Sequence, residues 1–172
     1  MELDFEVVDL PEADHVEAGD DAPDFTRPLV NDEYWEDVSL SDLLADGPVL
    51  LVFTPMDGAF PSTYIWNELR ERGVDEYGAQ VAGVSISSPY EHKTTVEERG
   101  IDEFAGLFSD PQNGVAEQYG VSHDLDGMAG VSEPRPSVFL VAEDGTVEYA
   151  WVAEEWPNFP DYDAVEDALA GL

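Results

Sequence analysis

The stretch "PVLLVFTPMDGAFPSTYIW", residues 48–66, decides the fold. Val49 to Phe53 are five consecutive apolar residues, too short for a buried helix and suited to a strand covered on both faces of a parallel sheet. A loop with Pro55, Gly58 and Pro61 follows, and then a helix starting at Pro61 or Ser62. That helix carries Ile65, Trp66 and Leu69 on one face and ends at Gly73. "QVAGVSIS" (80–87) reads as a second buried strand, which completes a βαβ unit, expected to be right-handed.

Outward from this unit the pattern continues. Leu3, Phe5 and Val7 alternate with acids and read as a half-exposed strand; residues 11–23 read as an acidic loop. "SLSDLLADG" (39–47) gives one or two helical turns stopped by Gly47. In "SPYEHKTTVEERG" (88–100), Ser88 is placed to cap a helix, Pro89 to open it and Gly100 to end it. "AGLFSD" (105–110) reads as a short strand and "NGVAEQYG" (113–120) as a short helix. "PSVFLVAEDGTVEYAWV" (136–152) reads as a hairpin around Glu143, Asp144 and Gly145, with Val147, Tyr149 and Trp151 on one face. The chain closes with an amphipathic helix through Tyr162, Val165, Ala168 and Leu169. No internal repeat and no linker divides residues 1–172, which are expected to form one domain. The order βαβ, helix, antiparallel hairpin, helix is the topology of a thioredoxin-like α/β fold: a central mixed sheet flanked by helices, preceded by an N-terminal extension.

Forty acidic residues against six basic ones give a net charge of −34, yet 43% of the chain is hydrophobic, enough for a sizeable core. Such a surface repels nucleic-acid phosphates and anionic lipid, so neither is an expected partner. The acidity runs through the whole chain, and reads as a cytosolic protein of an extreme halophile, where salt screens the repulsion. The alternative is a cation-buffering protein. No apolar run reaches the roughly 20 residues of a membrane span, and "MELDFEVVDL" lacks a signal-peptide core, so a cytoplasmic location is expected. Cysteine is absent, which excludes disulfides, thiolate metal sites and any cysteine nucleophile in this chain. His15, His92 and His123 have no metal-ligand spacing, and "HDLDG" (123–127) lacks the EF-hand pattern, so no metal and no cofactor is expected. Trp66, Tyr64, Phe60, Trp151 and Trp156 form the aromatic set near the loop, mostly core, with some available to an interface.

Taken together, "GDDAPDFTRPLV" (19–30), "LSDLLADGPVLLVFTP" (40–55), "FSDPQNGVAEQYGV" (108–121) and "SVFLVAEDGTVEYAWV" (137–152) resemble the peroxiredoxins of the alkyl hydroperoxide reductase/thiol-specific antioxidant type. "VAGVSISSPYEHKTTVEERGI" (81–101) resembles their second central strand and next helix, and "WPNFPDYDAV" (156–165) their one-cysteine tail. The resemblance runs in order over nearly the whole chain, and it identifies the N-terminal extension as the peroxiredoxin type. It also implies an antioxidant oxidoreductase ancestry and a homodimer paired near the loop.

The family's site motif, P-x-x-x-T/S-x-x-C, falls on Pro55, with Ala59 at the hydroxyl position and Ser62 at the reacting cysteine. The family's arginine, three residues before the hairpin phenylalanine, falls on Pro136, with Arg135 one residue earlier. Thiol peroxidase chemistry needs a thiolate that cycles through a sulfenic acid, which a serine does not provide. The expected protein is a redox-inactive binding or interaction paralogue that binds an unknown protein partner or small ligand. The alternatives are an oxidoreductase role by a non-thiol route, or a small-ligand site formed by Ser62, Thr63, Arg135 and Pro136. Ser62 itself has three readings: a helix cap, part of a pocket at a helix N-terminus, or a hydrolytic nucleophile. Arg135 reads as a salt-bridge former or an anion contact. Resemblance makes Pro136 a candidate cis-proline facing the helix start, and gives His92 a structural role.

Overall fold

The structure is a computed structural model that describes residues 7–124 and 128–172. Its centre is the expected run: β4 (Val49–Phe53) is buried at every residue and lies between two neighbours. On one side it pairs in parallel with β5 (Gln80–Ser85), and on the other antiparallel with β9 (Ser137–Val141). Beyond β9 lies β10 (Val147–Val152), and beyond β5 the parallel β6 (Gly106–Ser109). The far edge is a hairpin of β2 (Thr26–Val30) and β3 (Trp35–Ser39), joined antiparallel to β6. The seven-stranded order is therefore β10-β9-β4-β5-β6-β2-β3, the thioredoxin-like arrangement of a mixed sheet flanked by helices.

The period-2 geometry of β4 divides the core. Val49, Leu51 and Phe53 join Phe25, Phe108, Tyr119 and Phe139 on one face. There α1 (Leu40–Leu44) and α4 (Gly114–Tyr119) cover the sheet. Leu50 and Val52 join the other face, packed by α2 (Phe60–Glu71), α3 (Pro89–Arg99) and α5 (Tyr162–Ala170). Ile65, Trp66 and Leu69 are the buried stripe of α2, as their spacing predicts. Trp66 lies so close to β5 that a Cβ on Gly83 would stand 2.6 Å from its ring, so glycine is required there.

Two helix starts carry capping boxes, and the one at Ser88 was expected. Ser88 caps α3 in a reciprocal box with Glu91, and Ser39 caps α1 with Asp42. At the seam between α2 and α5, Arg72 donates to Glu68, Asp163 and Glu166 at 2.7–2.8 Å, and this ion-pair network raises its pKa.

Several expectations change. The β2–β3 hairpin was invisible in the sequence because Pro28 interrupts β2 and β3 is polar; Pro28 lies outside the two residues of β2 that pair with β6, where a missing N–H is tolerated. A register shift between Val147 and Tyr149 breaks the alternation of β10. Val147 consequently packs into one core face, while Tyr149 and Trp151 pack against the other, so the three do not share a side. Val74–Tyr77 forms an unanticipated 3-10 turn after α2. The strand expected through Leu3 and Phe5 falls outside the described residues; β1 (Val8–Asp9) pairs with β11 (Glu155–Trp156). The short antiparallel pair β7 (Ser122–His123) and β8 (Glu133–Pro134) completes the strands. Among the described residues, no helix is long and apolar enough to cross a membrane.

Candidate functional site

The loop between β4 and α2 is fastened from several directions. The Thr54 N–H donates to the Val84 carbonyl at 3.1 Å, continuing the sheet for one residue. The Met56 N–H donates to the buried Glu133 carboxylate at 3.1 Å, and the Asp57 N–H donates to Ser87 Oγ at 2.8 Å. Gly58, at φ 87°, supplies the left-handed residue that lets the chain turn into the helix.

The helix begins one turn earlier than a Ser62 cap requires. Its N-cap is Ala59, which has no side-chain cap bond; Phe60 is the first helical residue and Pro61 follows. Ser62 therefore lies inside the first turn, and its hydroxyl turns backward, donating to the Pro55 carbonyl at 2.7 Å and the Met56 carbonyl at 3.1 Å. This corrects the cap reading. It also removes support for a nucleophile, because main-chain carbonyls hold the hydroxyl proton without being bases able to accept it.

His92 is nearly fully buried, and both its nitrogens are committed: Nδ1 to Asp57 Oδ2 at 2.7 Å and Nε2 to the Phe108 carbonyl at 3.0 Å. A carbonyl only accepts, so Nε2 carries a proton, and a second proton lies between Nδ1 and the carboxylate. Thr95 Oγ1 donates to the same Asp57 oxygen at 2.9 Å. His92 thus ties α3 to the loop, the structural role the resemblance implied, and none of its hydrogen bonds goes to Ser62.

Ser62 and Thr63 line a small hollow of about 200 Å³ with Asp57, Trp66, Thr95 and Arg99. Arg135 and Pro136 are not part of it. Arg135 is 4% exposed and reaches the other way, donating through Nη1 to the carbonyls of Pro11 at 3.1 Å and Ala153 at 3.3 Å. Pro136 is in a trans peptide; the cis bond among the described residues is Trp156–Pro157. The structure therefore brings together Pro55, Ala59, Ser62 and Thr63 in one loop and separates them from Arg135. Asp57, Ser87, Thr95, Arg99 and Glu133, which hold or line that loop, were missed in the sequence. A buried carboxylate such as Glu133 has no periodic signature to announce it. Part of "HDLDG" (125–127) lies outside the described residues, and no group of three or more metal-ligating side chains occurs among the described ones.

A parallel βαβ core, an antiparallel hairpin and a proline-rich loop at the start of α2 together define a protein of the peroxiredoxin class. Residues 18–150 match the profile of the AhpC/TSA family, and the chain belongs to that family. It is 30% identical to peroxidoxin BcpB from Mycobacterium tuberculosis, with a TM-score of 0.71 over 91% of this chain and 96% of that one. It is 31% identical to a putative peroxiredoxin bcp of Coxiella burnetii, over 79% of this chain and 88% of that protein. AhpC of Enterococcus faecalis, at 20% identity, shares the fold with a TM-score of 0.74 over 90% of each chain. The chain spans 65% and 51% of the length of the chloroplastic 2-Cys peroxiredoxins of Hordeum vulgare and Spinacia oleracea that it matches.

Proposed function

We propose that this chain is a redox-inactive member of its family that keeps the fold for binding. The observation that carries the reading is Ser62. The resemblance assigns its position to the reacting cysteine, the chain has no cysteine anywhere, and the hydroxyl is spent on two loop carbonyls. Acceptors at that point favour a protonated group, the reverse of what a peroxide-cleaving thiolate needs. The hollow beside Ser62, with Thr63, Asp57 and Arg99 on its walls, is the place this reading gives to a small polar ligand.

The test is peroxide consumption by the purified chain in high salt with a dithiol donor. No turnover above background is expected. Ser62→Cys alone is expected to restore little, because the new thiol faces the Pro55 and Met56 carbonyls and Ala59 offers no hydroxyl. Turnover by the native chain would establish an oxidoreductase role by a non-thiol route and overturn the proposal.

The exposed ring of Tyr64, packed at 6.2 Å from Phe60 and 6.1 Å from Phe159, favours a second copy of this chain as partner. A dimer in analytical ultracentrifugation that Tyr64→Glu dissociates is the expected result. The net charge of −34 further supports work in concentrated salt, with unfolding midpoints that rise with potassium chloride.

A further inference from the structure

Arg135 is a buried cation without a counter-charge among the described residues, in a chain of forty acids. Arg27, Arg70 and Arg72 each have a carboxylate partner; Arg135 has no ion pair among the described residues. Among the described residues only Nη1 is used, on two carbonyls, and Nε is buried without a partner. Burial alone lowers its pKa, the mark of a guanidinium taken from water without compensation. Leaving a buried charge unpaired is costly, and Nη2, which makes no hydrogen bond among the described residues and is not sealed as Nε is, is the atom through which a carboxylate can supply the counter-charge.

Arg135 lines two adjoining hollows, of about 760 Å³ and about 400 Å³, on either side of the Pro11–Ala13 arm. The larger is rimmed by the exposed carboxylates of Asp9, Glu12, Asp14 and Glu154. A simple anion meets repulsion at that rim, and a simple amine leaves Arg135 unpaired. A ligand with a carboxylate at one end and cations at the other satisfies both. At about 30 Å³ per water, the larger hollow has the room of about 25 waters, ample for one amino acid.

We propose that this hollow binds a free basic amino acid, with its carboxylate on Nη2 of Arg135 and its cationic groups against Asp9, Glu12, Asp14 and Glu154. The site is separate from the Ser62 hollow and does not depend on the lost thiol chemistry.

Calorimetric titration of the purified chain, in the salt that keeps it folded, tests this with L-arginine, agmatine (the same molecule without its carboxylate) and acetate. One equivalent of L-arginine is expected to bind, about tenfold or more tighter than agmatine. Arg135→Met is expected to abolish that preference. Agmatine binding as tightly as L-arginine would show nothing more than cations gathering on an acidic surface, and would overturn the proposal. So would the absence of L-arginine binding. Should Arg135→Met fail to fold, Glu12→Gln/Glu154→Gln at two exposed positions carries the test: L-arginine is expected to bind more weakly while acetate, which the native rim repels, loses nothing, and unchanged L-arginine binding counts against the site. Ser62→Ala is expected to leave L-arginine binding unchanged, which separates a failure here from a failure of the loop hollow.

Discussion

Two regions of this molecule bury ionisable side chains, and they treat them differently. At the loop before α2, Asp57 and His92 face each other at 2.7 Å, and Thr95 and the Phe108 carbonyl complete the arrangement. Against the N-terminal arm, Arg135 is as deeply placed, yet among the described residues it has two carbonyls and no carboxylate. The first region pairs its charged groups within the chain, leaving Asp57 Oδ1 as a buried oxygen without a partner, and acts as a fastening. The second leaves a charge whose complement is missing among the described residues, which is what a binding site requires and a fastening avoids.

That contrast can be broken by mutation. The largest effect is expected for Asp57→Ala, which strips a partner from a buried His92 and from Thr95; a loss of about 3 kcal/mol in urea unfolding is expected. A loss below about 1 kcal/mol would mean that the pair fastens nothing. Ser62→Ala removes one buried hydroxyl while the Met56 carbonyl keeps the Ala59 N–H, so about 1 kcal/mol is expected by the same measurement. Arg135→Met should change stability by less than about 1 kcal/mol, since relief of an unpaired charge offsets two lost hydrogen bonds. Hydrogen exchange should nonetheless quicken in the arm around Pro11, where one of those bonds ends.

The smallest effect concerns Asp42. The Ser39 backbone N–H first, and the Ser39 side chain second, hold its carboxyl below the ordinary carboxylate value. A depressed folded-state pKa means that this cap stabilises above the unfolded carboxylate range and is lost as pH falls through the folded value. An NMR titration should place Asp42 below the ordinary aspartate value, and Asp42→Ala should remove the pH dependence it contributes.

Much of this molecule was legible in its residues. Val49–Phe53 fixed a strand buried on both faces because no surface position tolerates five apolar residues in a row. Ser88, Pro89 and Gly100 marked both ends of α3 because caps and helix stops are local chemistry. The absence of cysteine excluded a cysteine nucleophile in residues 1–172 by composition alone. What the sequence could not decide depended on where chain segments far apart come together. Pro28 hid a strand whose partners are Phe108 and Leu107 and the residues of β3. One register shift in β10 turned Val147 to the opposite face from Tyr149 and Trp151. Ser62 and Arg135, paired by motif arithmetic, were separated because a guanidinium goes where carbonyls receive it, here Pro11 and Ala153, 124 and 18 residues away along the chain. Periodicity and capping are short-range and can be read from a string of residues. The surroundings of a buried charge are set by contacts across the whole chain, so only the tertiary structure distinguished the fastened loop from the open cation.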